Sequence, residues 1–378
     1  MDMFDVYPLF DIEPVRGEGC YLWDEEGTRY LDLYGGHAVI SIGHSHPHFV
    51  QRIQEQAAQL GFYSNSVRNS LQPELAAHLG RLSGYDEYRL FLCNSGAEAN
   101  ENALKLASFH TGRREVISFE GAFHGRTSAA VSVTDNPGIR AAFNETDAVH
   151  FVPLNDPDAV QAVFVKHSIC AVIIEGVQGV GGIVEPDAAS MQEIRGLCDE
   201  NDALLILDEI QSGYGRTGEF FAHRYAGVRP DLITIAKGMG NGFPIAGVLI
   251  HPEIQASHGL LGSTFGGNHL ACAAGLAVLE IIEQNDLIAN ARTEGAFLKK
   301  ALQSLEGPIR DIRGRGLMLG VELDFPCDEV RKALLYDHHI FTGSSSNKNT
   351  LRLLPPLTIS RAESETFLDT FETVLSAV

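Results

Sequence analysis

From Ser45 onward two hydrophobic periods alternate along the chain. Apolar residues three and four apart predict helices in PHFVQRIQEQAAQL, AEANENALKLASFHTG and AASMQEIRGLCDEN. Short β-rich runs predict strands in YRLFLC, REVISFE, CAVIIEG, ALLILDE and DLITIAK. Strands apolar on both faces and alternating with helices indicate a mostly parallel sheet covered on both sides. Ahead of this region, CYLWDEEGTRYLDL reads as a β-hairpin with an acidic turn. Behind it come a long helix in ACAAGLAVLEIIEQN, a strand pair in GPIRDIRGRGLMLGVEL and a further strand in LRLLPPLTI. The amphipathic run SRAESETFLDTFETVLSAV closes the chain and opens on an S-x-x-E capping box, Ser360 and Glu363. With no repeat, low-complexity tract or long linker, the domains are expected to interleave. The fold class is α/β: a large domain over 45–270, and a smaller α+β domain built from 1–44 and 271–378.

A length of 378 residues accommodates two domains, and 44% hydrophobic with 20% charged residues is ordinary for a globular enzyme. The net charge of -21, from 28 basic and 49 acidic residues, alters the picture more. Such a surface repels phosphate backbones and anionic bilayers, so neither nucleic acid nor a membrane is an expected partner. An anionic small molecule must instead be drawn in by a local group of arginines. Runs such as AVII and ALLIL are too short to span a bilayer. The opening MDMFDVYPLFDIEP lacks the basic and apolar regions of a signal peptide, which makes the cytoplasm the expected location. Six scattered cysteines without a CxxC pair read as reduced, mostly buried thiols.

The candidate chemistry lies at strand ends. DLITIAKGMGNGFP delivers Lys237 from a buried strand into a glycine-rich turn, where lost hydration lowers an amine's pKa. ALLILDEIQSGYGRTG places Asp208 likewise. A carboxylate for a pyridinium nitrogen and an amine for an aldehyde are together what pyridoxal 5'-phosphate (PLP) requires. Taken alone, each is equally an ordinary strand end. NSGAEANENALKLA adds Ser95, Gly96 and Ala97 at a helix start, whose free N–H groups form an anion cradle. FEGAFHGRT contributes Phe123, an aromatic face, and Arg126, a fork for a carboxylate. LLGSTFGGN holds Ser263 and Thr264 before paired glycines, and Arg352 in TLRLLPP reads by itself as a surface charge. His44, His46 and His48 look metal-like, but a spacing of two fits a metal only on a strand, and Pro47 argues against one. No metal is expected there.

SGAEANENALKLA, FHGRT, LLILDEIQSGYGRTG, PDLITIAKGMGNGFP and STFGGN, in this order, resemble the class III (ω-) aminotransferases, PLP enzymes of fold type I. The likeness covers essentially the whole chain and is nearest to the acetylornithine and succinylornithine aminotransferases. It implies a homodimer with shared active sites that moves the δ-amino group of an N2-acylornithine to 2-oxoglutarate in arginine biosynthesis. Ornithine δ-aminotransferase, other ω-amino acid or diamine aminotransferases, and a catalytically silent PLP-fold binding protein are the alternatives. Residue by residue, the resemblance implies that Lys237 carries the cofactor as an imine and shuttles the proton. Asp208 keeps the ring nitrogen protonated, Phe123 stacks on the ring and Gln211 reaches its phenolic oxygen. Ser95, Gly96, Ala97 and Ile210 belong to the cofactor site, with Thr264 reaching the phosphate from the partner subunit. Arg126, with Ser263 nearby, and Arg352 take substrate carboxylates. One position departs from the pattern. Where the family has a second glutamate that pairs with the inner arginine, this chain has Val180 in EGVQGVGG, leaving Glu175 as the remaining acid of that loop.

Overall fold

A seven-stranded sheet runs through the middle of the protein, described here from a computed structural model over residues 1–377. Val378, the last residue of the predicted closing helix, lies outside the described residues. The strand order is Arg89–Cys93, Ala246–Ile250, Leu232–Ile235, Leu204–Asp208, Ile169–Glu175, Glu115–Phe119, Val149–Val152. Only Ala246–Ile250 runs against the others. Ten residues connect it to Leu232–Ile235, fewer than the dozen or so of a parallel crossover, and the two strands pair antiparallel. The expected mostly parallel sheet is therefore present, with one reversed strand supplied by AGVLI.

Leu204–Asp208 and Ile169–Glu175 are buried at every position, as strands covered on both faces must be. Parallel pairing brings their last residues level, Glu175 opposite Asp208 and Asp208 opposite Thr234. The acids thus line up along one edge, and Lys237 leaves the neighbouring strand at the same edge. The predicted helices form at Pro47–Gln59, Gly96–Thr111 and Ala188–Glu200.

Both ends of the chain meet in a four-stranded sheet. The predicted hairpin, Tyr21–Asp24 with Arg29–Asp32, is joined by Pro14–Glu18 and by Ile340–Phe341, which pairs parallel to Arg29–Asp32. A three-stranded antiparallel sheet holds Ile309–Arg315, Met318–Leu323 and Thr350–Leu353. The last strand is shorter than LRLLPPLTI predicts, because Pro355 and Pro356 offer no N–H to continue the ladder. The closing helix, Arg361–Ser376, has its capping box formed by Ser360 and Glu363. All six cysteines are buried and unpaired. No helix among the described residues is long and apolar enough to cross a membrane.

Two side chains fasten the terminal segments to the sheet beside Lys237. Asn241, in the left-handed region at φ 48°, accepts from the Ser41 and Ile42 N–H groups at 2.8 and 3.1 Å and donates to the Gly43 carbonyl at 3.0 Å. Arg216 is buried with no carboxylate partner among the described residues and donates to the carbonyls of Ile40, Leu317 and Pro355. Burial holds its guanidinium at about 10, below its ordinary value.

Candidate active site

A cavity of about 420 Å³ opens at the carboxyl ends of the central strands. Ser95, Gly96, Ala97, Phe123, Arg126, Asp208, Ile210, Gln211 and Lys237 all line it, together with Glu175 and Val180. Tertiary structure thus gathers nine of the twelve sequence-derived candidates at one place. Ser263, Thr264 and Arg352 do not line it.

Asp208 is buried at the end of its strand and fully engaged. Its Oδ2 accepts from Asn100 Nδ2 at 2.8 Å and from His124 Nδ1 at 2.7 Å, and its Oδ1 accepts from the Ile210 N–H at 3.0 Å. A buried carboxylate needs such donors to stay charged. Asn100 and His124 are functional neighbours that sequence reasoning did not assign. They lie on the Gly96–Thr111 helix and the FHGR loop, and only the fold brings them to Asp208. The adjacent Glu209 turns away and fixes the following loop by accepting from Ser212 Oγ, the N–H groups of Ala222 and His223, and His223 Nδ1.

Lys237 sits at φ 43°, in the left-handed region, on a one-turn 3-10 segment directly after its strand. Its amine makes no hydrogen bond or ion pair within the chain among the described residues. Desolvation lowers its pKa, and Arg352 adds to this, while Asp208 and Glu175 pull the other way. Glu175 accepts from the N–H groups of Phe123 at 2.9 Å and Gly179 at 3.1 Å. Desolvation and then Asp208 push its carboxyl up to about 7, against the pull of His124 and those two N–H donors.

Ser95 caps the Gly96–Thr111 helix by accepting from the Glu98 N–H at 3.2 Å. The amides of Gly96 and Ala97, two residues that line the cavity, precede the first intrahelical bond and have no partner among the described residues. A Cβ on Gly96 would lie 2.9 Å from Ile210 Cδ1, so the close approach of this turn requires glycine. Gln211 donates to the His37 carbonyl at 3.0 Å, and its Oε1 is buried without a partner.

Ser263 is turned inward on its own chain, bonded to Glu98 Oε1 at 2.8 Å and Asn94 Nδ2 at 3.0 Å. Thr264 beside it is exposed. Arg126 is exposed at the cavity mouth and makes no ion pair among the described residues. Arg352 corrects the sequence reading: it is 3% exposed and no surface charge. Its guanidinium donates to the carbonyls of Ser344 and Gly179 at 2.5 and 3.1 Å and to the Tyr34 hydroxyl at 3.3 Å. No carboxylate of the described residues lies within ion-pair distance, and burial lowers its pKa. Glu175 acts on it through space and makes no hydrogen bond to it. The side chain beside it is Tyr34, whose hydroxyl is 2.5 Å from His37 Nδ1.

Tyr34 and His37 are presented by an unusual turn. Gly35, Gly36, His37 and Ala38 lie consecutively at φ 55, 55, 68 and 64°. A left-handed turn costs non-glycine residues about 1–2 kcal/mol each, and such strain persists where the surroundings hold it. Here Asp32 Oδ1 accepts from the Tyr34 and Gly35 N–H groups, and Gln211 holds the His37 carbonyl. The three histidines of GHSHPH diverge: His44 reaches Asp32, His48 reaches Glu280, and His46 precedes the first residue of the Pro47–Gln59 helix.

The model of the aminotransferase class-III family matches residues 5–375 of the sequence. The chain belongs to the class-III aminotransferases. It is 41% identical over 366 residues to the acetylornithine aminotransferase of Bacillus subtilis, covering 96% of this chain and 94% of that one. It is 43% identical over 352 residues to that of Archaeoglobus fulgidus, covering 92% and 91%. Among solved structures, the acetylornithine aminotransferase of Elizabethkingia anophelis superposes at a TM-score of 0.86 and 28% identity, over 98% of this chain and 95% of that one. The ornithine aminotransferase of Toxoplasma gondii reaches 0.91 at 29% identity, over 98% and 91%.

Class-III aminotransferases are PLP-dependent enzymes, and the site of this one fits that cofactor on its own geometry. Two unpaired amides at a helix start suit a phosphate, a buried three-donor carboxylate suits a ring nitrogen, and an unbonded, desolvated lysine suits the aldehyde. The raised Glu175 carboxyl gives a pH signature. The unfolded chain ionises it from its ordinary 4.5, whereas the folded chain keeps the proton to about 7, so folding stability is lost as pH rises through that window. Glu175→Gln removes the loss. The stability of the variant apoprotein relative to the parent, from urea midpoints, is expected to rise between those pH values by up to about 3 kcal/mol, then level off. A difference that is flat with pH would show that Glu175 ionises normally.

Proposed function

We propose that this aminotransferase moves the δ-amino group of an N2-acylated ornithine, acetylornithine first, to 2-oxoglutarate, giving the N-acylglutamate 5-semialdehyde and glutamate. The observation that carries the reading is the pair of unmatched arginines around one amine. Among the described residues, Arg126 at the mouth and the buried Arg352 both lack a carboxylate, as sites for anionic substrates should. Acetylornithine is the substrate in the names of the relatives about 40% identical to the chain and supports the choice of donor.

When bound, PLP supplies the carbonyl carbon that exchanges with the donor amine and the ring that takes up electrons from the broken C–H bond. The protein's part is position and proton control. Asp208, locked by Asn100, His124 and the Ile210 amide, holds a proton at the ring nitrogen. Gly96, Ala97 and the capping Ser95 would receive the phosphate, with Ile210 packed beneath Gly96. Phe123 would cover the ring face, and Gln211 reach its oxygen. Lys237, kept unpaired and poorly hydrated, would take the proton from the donor carbon and hand it on to the cofactor. Arg126 would hold the carboxylate of the acylornithine, and Arg352 the α-carboxylate of glutamate or 2-oxoglutarate.

The decisive test is a donor screen with 2-oxoglutarate. Acetylornithine or succinylornithine is expected to exceed ornithine and γ-aminobutyrate in kcat/KM at least about tenfold, a difference of ~1.4 kcal/mol in transition-state binding. Faster turnover of ornithine would replace this reading with ornithine δ-transamination. Lys237→Ala is expected to abolish turnover with every donor while leaving the fold intact. Near-normal activity in that variant would remove Lys237 from the mechanism.

We also infer that the active form is a homodimer. Thr264 and Phe265 are exposed beside a cavity that neither enters, which is how a residue serving a partner's phosphate site would look. Specific activity on dilution is expected to fall with the dimer population measured by light scattering. A fully active monomer would contradict this.

Val180 lines the cavity next to Gly179, whose carbonyl Arg352 holds. With Tyr34 as its only side-chain hydrogen-bond partner among the described residues, Arg352 can meet a carboxylate without first opening an ion pair. Breaking a buried pair by removing one partner costs about 3–5 kcal/mol. Val180→Glu is therefore expected to weaken glutamate as a donor at least about tenfold in single-turnover assays, with a smaller effect on the acylornithine. Equal effects on both half-reactions would mean Val180 does not face Arg352 in the working enzyme.

A further inference from the structure

At the opposite end of the sheet from Lys237, three side chains from three elements converge on one point. Glu115 begins the strand Glu115–Phe119, His150 lies on the neighbouring edge strand Val149–Val152, and His167 caps the C-terminus of the helix Pro157–Lys166. The crossover from the edge strand through that helix enters Ile169–Glu175 on the far side of Glu115–Phe119. It therefore carries His167 back over the amino-terminal end of the strand it straddles. Register adds His150: it lies opposite Ile117, and Glu115 and Ile117 share a face because side chains alternate along a strand.

Glu115 Oε2 is 2.7 Å from His150 Nε2 and 2.9 Å from His167 Nδ1. All three donor atoms lie within 4.8 Å of one another, and the two imidazoles are 4.0 Å apart between ring centres. Two rings aimed at one carboxylate oxygen leave little for the apoprotein beyond a shared hydrogen bond. They do match a divalent ion's need for borderline nitrogen donors and one hard oxygen. Replacing the two shared protons by zinc, at about 2.0–2.2 Å from each ligand in tetrahedral geometry, requires the donor atoms to part by roughly half an ångström or somewhat more. His167 is 37% exposed at its side chain, which leaves room for that movement and for a water as fourth ligand.

We propose that Glu115, His150 and His167 form a zinc site that ties the edge strand and its crossover helix to the interior of the sheet. An edge strand has a neighbour on one side only, so a metal tie adds a link where the sheet is most easily opened. The site is remote from the strand ends that carry the chemistry, so occupancy should change stability and leave the reaction alone.

The test uses tag-free, PLP-loaded enzyme in a non-chelating buffer near neutral pH, titrated with Zn²⁺ by calorimetry and with Co²⁺ by visible absorption. One ion per chain is expected to bind at micromolar concentration, with a tetrahedral cobalt spectrum and a thermal midpoint raised by several degrees, as ligand linkage requires. His150→Gln and His167→Gln keep an N–H donor to Glu115 but cannot ligate as imidazole does. Each is expected to weaken the ion at least about tenfold and to remove the thermal shift, with unchanged turnover and unchanged midpoint in chelator. Binding of the same strength in either variant would place the ion elsewhere. Absence of binding up to millimolar zinc would reduce the cluster to a hydrogen-bonded bridge. Either result overturns the proposal.

Discussion

The site depends on two buried strands ending side by side with a charge at each end. Leu204–Asp208 and Leu232–Ile235 can sit in the middle of the sheet only if the polar groups at their ends are satisfied or held deliberately unsatisfied. Asp208 is satisfied, by three donors from three segments. Lys237 is left unpaired. A carboxylate stripped of water without those donors would take up a proton, and a lysine given a partner would be a poor base. The contrast between the two groups comes from the packing around them and not from their own chemistry.

Charge follows the same logic at larger scale. The chain carries -21 overall, yet the side chains left unmatched around its cavity, among the described residues, are basic: Lys237, Arg126 and, just behind the wall, Arg352. Screening confines the surface field to about 8–10 Å in physiological salt, while a desolvated guanidinium keeps its reach. Arg352 is tolerated in the interior because two carbonyls and a phenol take its N–H groups. That arrangement satisfies hydrogen bonding but leaves the positive charge uncancelled. The strained turn at Gly35–Ala38 bears on this directly, since it is what brings Tyr34 and His37 to the guanidinium.

Much of this was legible in the sequence for local reasons. Strong periodicity gave the central strands and the main helices, and the apolar runs ending in Asp208 and Lys237 marked the chemical edge of the sheet. The capping box at Ser360 is also a local device that depends on spacing along a helix, whereas the lack of room for a Cβ at Gly96 comes from Ile210 on a distant segment. Elements such as Val149–Val152 and Ala246–Ile250 were not picked out, because four or five apolar residues form a strand only when a neighbour is already in place to pair with them.

What only the tertiary structure decided are the relations between distant segments. Asn100 and His124 become supports of Asp208 because a helix start and a loop converge on a strand end from different parts of the chain. Arg352 reads as a surface charge in TLRLLPP, and burial within the fold makes it an interior cation. Tyr34 carries no motif, and it meets Arg352 across 318 positions of sequence. The sequence by itself determined which residues could do chemistry and at which end of the sheet they would lie. Folding decided which of them keep a partner, since burial and hydrogen bonding across long separations set the charge and freedom of each group.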